Sequence, residues 1–195
     1  DAPAHLNGQG GDTLPAQLLP LSILAEGDLD FDEFAEARSY PNAFVEVGGR
    51  TLSGYPVLPG LLNVPVYAVA RVAGLTVCPG SAPLLSLWTG ALLTAGSVSA
   101  VFVVLRRRGV PSAWAAALCT VYAFGTTAYS VASRGIWQHG PALLFLAGGL
   151  SFLVSDPPRR PFTAGLLLGL SVITRPPVLL LVLPLFLTPL RAGLH

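Results

Sequence analysis

The stretch SRGIWQHGPALLFLAGGL at residues 133–150 places a polar cluster directly in front of an uninterrupted apolar run. The cluster contains one cation, one imidazole, one indole and one amide, on Arg134, His139, Trp137 and Gln138. Polar and ionisable side chains at the edge of a membrane segment are costly and usually serve a function. The stretch therefore predicts a membrane helix with a functional group of side chains at its mouth.

The composition of the chain is that of a membrane protein. Of its 195 residues, 52% are hydrophobic and only 11% are charged, and the mean hydropathy is +0.64. A soluble domain carries about 25% charged residues, so this chain cannot cover a globule with a polar surface. We expect an all-α, polytopic bundle of transmembrane helices, with membrane lipid as a partner and no nucleic-acid partner. Because the sequence contains no methionine, we expect a piece of a longer protein, incomplete at both ends.

Charge divides the chain into two parts. Residues 1–56 hold nine carboxylates against two arginines, whereas residues 57–195 hold nine arginines against Asp156 alone. The first part is predicted to be an acidic loop outside the cytoplasm, and the second a membrane body with basic connections. Arginine without lysine, together with abundant alanine, glycine and proline, favours a bacterial protein of the inner (plasma) membrane.

Several short elements are predicted within and after the acidic loop. A helix over 14–24, capped by Asp12 or Thr13, is expected to lie on the membrane surface as an amphipathic segment. A glycine pair at 48–49 between two apolar runs predicts a β-hairpin. Residues 57–77 are interrupted by prolines, a glycine, an asparagine and an arginine, which favours an interfacial or re-entrant helix over a spanning one.

The rest of the chain is predicted to cross the membrane repeatedly. Positive charges mark the cytoplasmic ends of membrane helices, so the arginines at 106–108 and 159–160 are assigned to the inside. Arg134, His139 and Arg175 then fall at the outer surface, together with the acidic loop. The expected membrane helices are 84–105, 113–132, 136–154, 162–173 and 178–190.

The polar groups assigned to the outer surface suit a phosphate-bearing lipid substrate. Arginine binds phosphate bidentately, and Arg175 lies at a break between two short apolar helices, where binding cavities often form. A carboxylate such as Asp12 can take a proton from an acceptor hydroxyl, and Trp137 can stack on a sugar. Each residue also has a structural alternative: Asp12 as a helix cap, Arg134 as an interfacial anchor and His139 as a helix-end histidine.

Metal and disulfide signals in the sequence are weak. The acidic run DLDFDE at 28–33 lacks the glycine and the glutamate that an EF-hand loop has at its sixth and twelfth positions. Cys78 and Cys119 lie in different apolar contexts, so we expect neither a disulfide between them nor a metal site. A solvated acidic loop and two core thiols are predicted instead.

Four stretches of the chain carry a family resemblance. GDTLP at 11–15, with the LLPLSILAEGDLDFDEF that follows, is similar to a first outer loop, and YPVLPGLLNVPVYAVARVAG is similar to a helix that lies on the membrane after it. SLWTGALLTAGSVSAVFVVLRRRG is similar to the next span, and AGLLLGLSVITRPPVLLLVLPLFL to paired short helices with a basic residue between them. Together they resemble the GT-C superfamily of polyprenyl-phosphate-sugar-dependent membrane glycosyltransferases, relatives of protein mannosyltransferases and aminoarabinose transferases (glycosyltransferase family 39-like).

The resemblance implies transfer of a sugar from a polyprenyl phosphate to an acceptor hydroxyl on the outer face, and it admits a divalent cation as a cofactor. It implies Asp12 as the base, with Asp32 and Glu33 as alternatives, because the family often shows two adjacent acidic residues there. It also implies that Arg175 faces the lipid phosphate. The other polar residues assigned to substrate or lipid-phosphate binding are Arg134, His139, Trp137, Gln138 and Tyr55.

Two other functions stay open on the sequence. A non-enzymatic transporter or flippase subunit would use the broken helices as a passage for lipid-linked or small substrates. A structural membrane subunit would have no site. Movement of a lipid-linked sugar between leaflets would favour the first, and unchanged activity after removal of Arg175 and His139 would favour the second.

Overall fold

Helices make up most of the structure. The computed structural model describes residues 11–154 and 160–192, with side chains for all of these except Glu36, Arg38 and 186–192. The fold is mostly helical, with 70% helix, and the described part has one two-stranded hairpin, consistent with the predicted all-α class. The elements are α1 Leu14–Ala25, β1 Phe44–Val47, β2 Arg50–Ser53, α2 Leu58–Val72, α3 Ala82–Arg107, α4 Ser112–Gly125, α5 His139–Leu153, α6 Pro161–Thr174 and α7 Leu179–Ala192.

The predicted series of membrane helices is present only in part. A helix needs about 20 residues to cross the hydrocarbon core, and within 11–154 and 160–192 only α3, with 26 residues, is long and apolar enough. The other predicted spans correspond to apolar helices of 14 or 15 residues. α6 and α7 begin within one residue of the predicted 162 and 178.

The spans predicted at 113–132 and 136–154 are wrong in length. α4 stops at Gly125 because Thr126 has an extended backbone, with φ −124° and ψ −176°. A π-helical turn, Ala128–Ala132, follows this break. α5 begins at His139, three residues later than predicted. Arg134, Trp137 and Gln138 therefore lie in a loop before the helix, and His139 begins its first turn.

α1 is enclosed, and the prediction of an amphipathic surface helix is wrong. Buried side chains lie on all sides of α1, and they include the polar Gln17 and Ser22. The N-cap residue Thr13 makes no side-chain cap hydrogen bond, and its Oγ1 accepts a hydrogen bond of 3.0 Å from Gln17 Nε2. Asp12 accepts a hydrogen bond from the Tyr55 hydroxyl. The apolar residues of α1 join a core that includes Phe31, Phe44, Tyr67 and Leu85.

The hairpin predicted around the glycine pair is confirmed. β1 and β2 pair antiparallel, with Val47 opposite Arg50. Gly48 and Gly49 have φ of 62° and 82°, the two positive values that a tight two-residue hairpin turn needs. The α2 helix ends earlier than the predicted 77, since its last residue is Val72.

The acidic run is solvated in part, as predicted, since Asp32 and Glu33 are exposed. Hydrogen bonds nevertheless hold it in place. Asp28 accepts a bond of 2.7 Å from the Ser22 hydroxyl. Asp30 is buried and pairs with Arg50 at 2.6 Å. Asp32 accepts the Thr51 backbone N–H at 2.7 Å. These bonds tie the run to α1 on one side and to β2 on the other.

Buried polar contacts fix α1 and α2 to the N-terminal half of α3. The Tyr67 hydroxyl lies 2.9 Å from the Gln17 carbonyl and 3.0 Å from the Ala82 carbonyl. Asn63 donates to the Ala16 carbonyl at 3.1 Å and accepts a hydrogen bond from the Thr89 hydroxyl. The acidic part of the chain is therefore packed onto the helices.

The C-terminal end of α3 meets the C-terminal end of α5. Arg107 donates to the Ser151 carbonyl, and its guanidinium lies 6.0 Å from the centroid of the Phe152 ring. Arg160, at the start of α6, follows in the next connection. The loop residue Arg159, also assigned to the inside, lies outside the described residues. We call this end of the helices the arginine end.

The opposite end of the helices carries the polar loop at 133–138 and Arg175. The Ile136 N–H donates to the Ser86 hydroxyl at 2.9 Å, which holds the loop at 133–138 against α3. Ala142, near the start of α5, packs in one cluster with Val178, just after Arg175. We call this region, defined by residues 82–90, the loop at 133–138 and Arg175, the site end.

Gly90 is where α3 and the loop approach most closely. A Cβ atom there would lie 2.5 Å from the Gly135 carbonyl oxygen and 3.1 Å from that of Ala132. We expect Gly90→Ala to lower the free energy of unfolding by about 2 kcal/mol, because the backbone must move to relieve the overlap. Thermal unfolding of the purified protein measures the change. Gly165→Ala is the matched control, since nothing lies within 4 Å of its added Cβ, and equal destabilisation of both variants would contradict the close approach.

Candidate functional site

The loop at 133–138 presents the polar cluster at the site end. Its centre is anchored, because Gly135 and Ile136 are buried. Arg134 is exposed, and Trp137, Gln138 and His139 are half-buried. The Trp137 and His139 rings lie side by side, with centroids 5.9 Å apart. The cluster predicted from the sequence therefore spans this loop and the first residue of α5.

Arg175 joins this cluster from another part of the chain. The residue before a proline is disfavoured in helical geometry, and Arg175, which precedes Pro176, has φ −146° and ψ 95°. The break between α6 and α7 therefore turns at this residue. Its half-buried guanidinium is close enough to act electrostatically on His139. Two nitrogen-rich side chains so placed form a site suited to an anion.

Asp12 and Tyr55 form the second part of the site. The Tyr55 hydroxyl donates a hydrogen bond of 3.0 Å to Asp12 Oδ1, and the Tyr55 N–H is held by the Ser53 hydroxyl at 3.0 Å. Asp12 is exposed. The bond occupies Oδ1 and leaves Oδ2 to meet another donor. Tyr55, predicted to bind substrate, is thus placed as a residue that positions the Asp12 carboxylate.

The bond also raises the pKa of Tyr55, since ionised tyrosine would lose the bond and face the Asp12 charge. It therefore stabilises the folded state below the ordinary tyrosine pKa of about 10, and this stabilisation disappears as pH rises through the raised value. We expect Tyr55→Phe to lower the free energy of unfolding by about 1 kcal/mol at neutral pH and by nothing at strongly alkaline pH. Denaturant unfolding across this pH range tests the expectation.

The exposed Tyr129 provides the control. Tyr129→Phe also removes one tyrosine hydroxyl and serves as the reference for the difference measured with Tyr55→Phe. A constant difference between wild type and Tyr55→Phe at all pH values would argue against the bond to Asp12.

The alternative bases are placed differently. Asp32 Oδ1 is occupied by the Thr51 N–H, so this carboxylate has a structural partner. Glu33 lines a separate pocket at the C-terminal end of α1, and burial raises its pKa. A 12-residue helix is about 18 Å long, so Glu33 and Asp12 lie near opposite ends of α1.

The predicted site residues fall into two groups. The Asp12–Tyr55 pair belongs to the N-terminal segment that packs on residues 82–89 of α3, and the loop before His139 is bonded to Ser86 of the same helix. In the described part of the chain, no hydrogen bond or ion pair joins Asp12 or Tyr55 to Arg175 or His139. For the divalent cation, residues 11–154 and 160–192 contain no cluster of three His, Cys, Asp or Glu side chains.

Three features of the site were not apparent in the sequence. Ser86 and Gly90 anchor the polar loop, but a serine and a glycine in an apolar helix carry no signal of that role. Arg71 lines the pocket that contains Glu33. The isolated charge of Arg71 within an apolar segment was the only available signal. Both cysteines are free. Cys119 is buried, as expected of a core thiol, whereas Cys78 is only half-buried.

Comparisons with protein-family models, with curated proteins and with solved structures find no match to this chain. The candidate residues are a carboxylate oriented by Tyr55 and, separately, Arg175 and His139 beside the start of α5.

Proposed function

We propose that the chain is part of a GT-C-like membrane glycosyltransferase that transfers a sugar from a polyprenyl phosphate to an acceptor hydroxyl on the outer face of the inner membrane. Asp12, oriented by Tyr55, belongs to the segment that packs on the N-terminal half of α3, and the loop before His139 is held against the same half of α3. This shared support is the observation that carries the proposal. A base and an anion site on one face are the two parts that such a transfer requires.

Exposed apolar side chains support a polytopic membrane location. On α4 they form a broad surface, and such patches are rare on soluble monomers. The fraction exposed is 68% for Trp114, 70% for Phe124 and 61% for Val121. α3, α6 and α7 also expose large apolar residues, among them Trp88, Leu92, Phe162, Leu166, Leu180 and Leu183. Lipid is the natural solvent for these helices, with the arginine end in the cytoplasm.

The proposed reaction is a single displacement with inversion at the anomeric carbon. The bond between that carbon and the phosphate oxygen breaks while the acceptor oxygen forms the new bond, and polyprenyl phosphate leaves. Asp12 takes the acceptor proton, and Tyr55 keeps the carboxylate oriented. Arg175, assisted by Arg134 and His139, stabilises the charge on the departing phosphate. Trp137 stacks on the sugar and Gln138 bonds to it.

A transporter or flippase subunit is the second candidate. The break between α6 and α7 favours it, since interrupted helices at membrane depth also line transport passages. A radiolabelled lipid-linked sugar separates the two functions. Transfer to an acceptor supports the enzyme, whereas movement of the intact lipid between leaflets supports the transporter.

The experiment that tests the proposal is thiol labelling from one side of the membrane. In a Cys78→Ser, Cys119→Ser background, we expect Asn42→Cys and Pro177→Cys to react in intact cells with an impermeant maleimide. Both positions are exposed; position 42 lies just before β1 in the acidic part of the chain, and position 177 lies two residues after Arg175. Arg108→Cys, at the arginine end, should react only after permeabilisation. If positions 42 and 177 react from opposite compartments, the proposed pocket does not exist.

A further inference from the structure

A cavity lies between the C-terminal ends of α1 and α2, apart from the Asp12–Tyr55 pair. Its volume is about 480 Å³, within the usual range for small-molecule sites. The walls are mainly apolar and include Leu21, Leu24, Phe34 and Val77, while the charged residues that line it are Glu33 and Arg71. The pocket therefore combines an apolar surface with one group of each charge.

Arg71 provides the positive side of the pocket. Its Nη1 donates to the Leu24 carbonyl at 2.9 Å, which fixes the guanidinium beside the end of α1. In the part of the chain that the structure describes, Arg71 makes no ion pair. A guanidinium held by one neutral carbonyl keeps donors for a phosphate oxygen.

Glu33 provides the negative side. Burial raises the pKa of Glu33, and the nearby carboxylates of Glu26 and Asp28 raise it further. A backbone hydrogen bond and one with the Ser22 side chain partly offset this rise, but no cation among the described residues acts on the carboxylate. The three acidic groups create a negative potential on this side. An ammonium group would satisfy both conditions, because it brings a positive charge and N–H donors.

We propose that this pocket binds an aminophospholipid with a zwitterionic head, such as phosphatidylethanolamine. Its phosphate lies at Arg71, its ammonium group at Glu33, and part of one acyl chain lies against the apolar wall. A glycerol headgroup would leave the negative side uncompensated, and a choline headgroup has no N–H to donate. The inference rests on the membrane location proposed above, but not on sugar transfer.

The surroundings of the pocket agree with a lipid ligand. Val69 and Val72, which flank Arg71 on α2, are 69% and 91% exposed. Leu75, which lines the pocket, is 60% exposed. Exposed apolar side chains beside an arginine are typical of a segment that rests in the membrane interface.

Native mass spectrometry of the full chain, released from nanodiscs made of equal parts phosphatidylethanolamine and phosphatidylglycerol, tests the assignment. We expect wild type to retain phosphatidylethanolamine about tenfold better than phosphatidylglycerol, as one charge-assisted hydrogen bond allows. Glu33→Gln should abolish this preference, whereas Arg71→Gln should weaken retention of both lipids. Arg108→Gln, at the arginine end, is the control and should match wild type.

The thiol of Cys78 gives a second measurement in the native sequence. Cys78 lines the pocket, and hydrogen bonding from the Ser81 N–H lowers its pKa, while Cys119 is buried. Iodoacetamide should therefore modify Cys78 more slowly in phosphatidylethanolamine nanodiscs than in phosphatidylglycerol nanodiscs, and Glu33→Gln should remove the difference.

Equal retention of the two lipids by wild type would overturn the proposal. So would an unchanged preference in Glu33→Gln, or retention that survives Val77→Trp, which fills the pocket. None of these readouts depends on turnover, so loss of the lipid site and loss of sugar transfer are separate results.

Discussion

Asp12→Asn is expected to reduce sugar transfer by the full-length protein by about 10²–10⁴-fold, the usual contribution of a general base. Asparagine keeps the size of the side chain and an oxygen that can accept the Tyr55 hydroxyl. It cannot take the proton of the acceptor. The measurement is the initial rate of transfer from a radiolabelled polyprenyl-phosphate sugar, together with retention of the lipid by the variant. Binding of the lipid should persist, because the phosphate lies at Arg175.

Two comparisons make the result specific to Asp12. Asp32→Asn alters a carboxylate bonded to the Thr51 N–H, so we expect lower stability with little change in the rate of the folded protein. Glu26→Gln, at an exposed position after α1, should leave both the stability and the transfer rate unchanged. Normal turnover by Asp12→Asn, with loss of turnover in Asp32→Asn or Glu33→Gln, would assign the base to the acidic run.

The sequence was most informative where local chemistry decides the backbone. The glycine pair at 48–49 needs positive φ, so the hairpin was predicted in the right place. Arg175 was predicted at a helix break because two prolines follow it, and the structure places the break there. The polar loop at 133–138 was also identified, although the helix was expected to start before His139.

Elements whose environment depends on distant residues were predicted less well. α1 contains leucines and prolines with polar residues between them, which suggested a surface helix. Its burial depends on contacts 47 and 50 residues away, from Asn63 and Tyr67. The end of α4 could not be predicted for a similar reason. Apolar residues continue past Gly125, so hydropathy alone does not indicate that the helix ends there. The Asp12–Tyr55 bond, which spans 43 residues, has no signature in either segment.

Arg175→Gln is expected to reduce transfer by about 10²–10³-fold, comparable to removal of one donor from a preorganised anion site. The effect should fall mainly on kcat, because charge on the phosphate is greatest as the sugar leaves. Arg175→Lys should recover part of the rate, since lysine keeps the charge but not the bidentate geometry. Single-turnover rates at saturating lipid separate this effect from weaker binding.

Folding should tolerate both changes, since the extended backbone at Arg175 is set by Pro176 and not by the arginine side chain. The matched control is Arg134→Gln, which removes an exposed arginine from the same end of the helices and should cost less than tenfold, as solvent screens its charge. If Arg175→Gln and Arg134→Gln slowed transfer equally, the rate would depend on the total positive charge at the site end. A specific contact between Arg175 and the phosphate would then be contradicted. If Arg175→Lys were as slow as Arg175→Gln, geometry would outweigh charge, as expected for two parallel N–H bonds to one phosphate. Full turnover by Arg175→Gln would contradict a phosphate contact at Arg175. It would favour the alternative in which the break between α6 and α7 lines a transport passage.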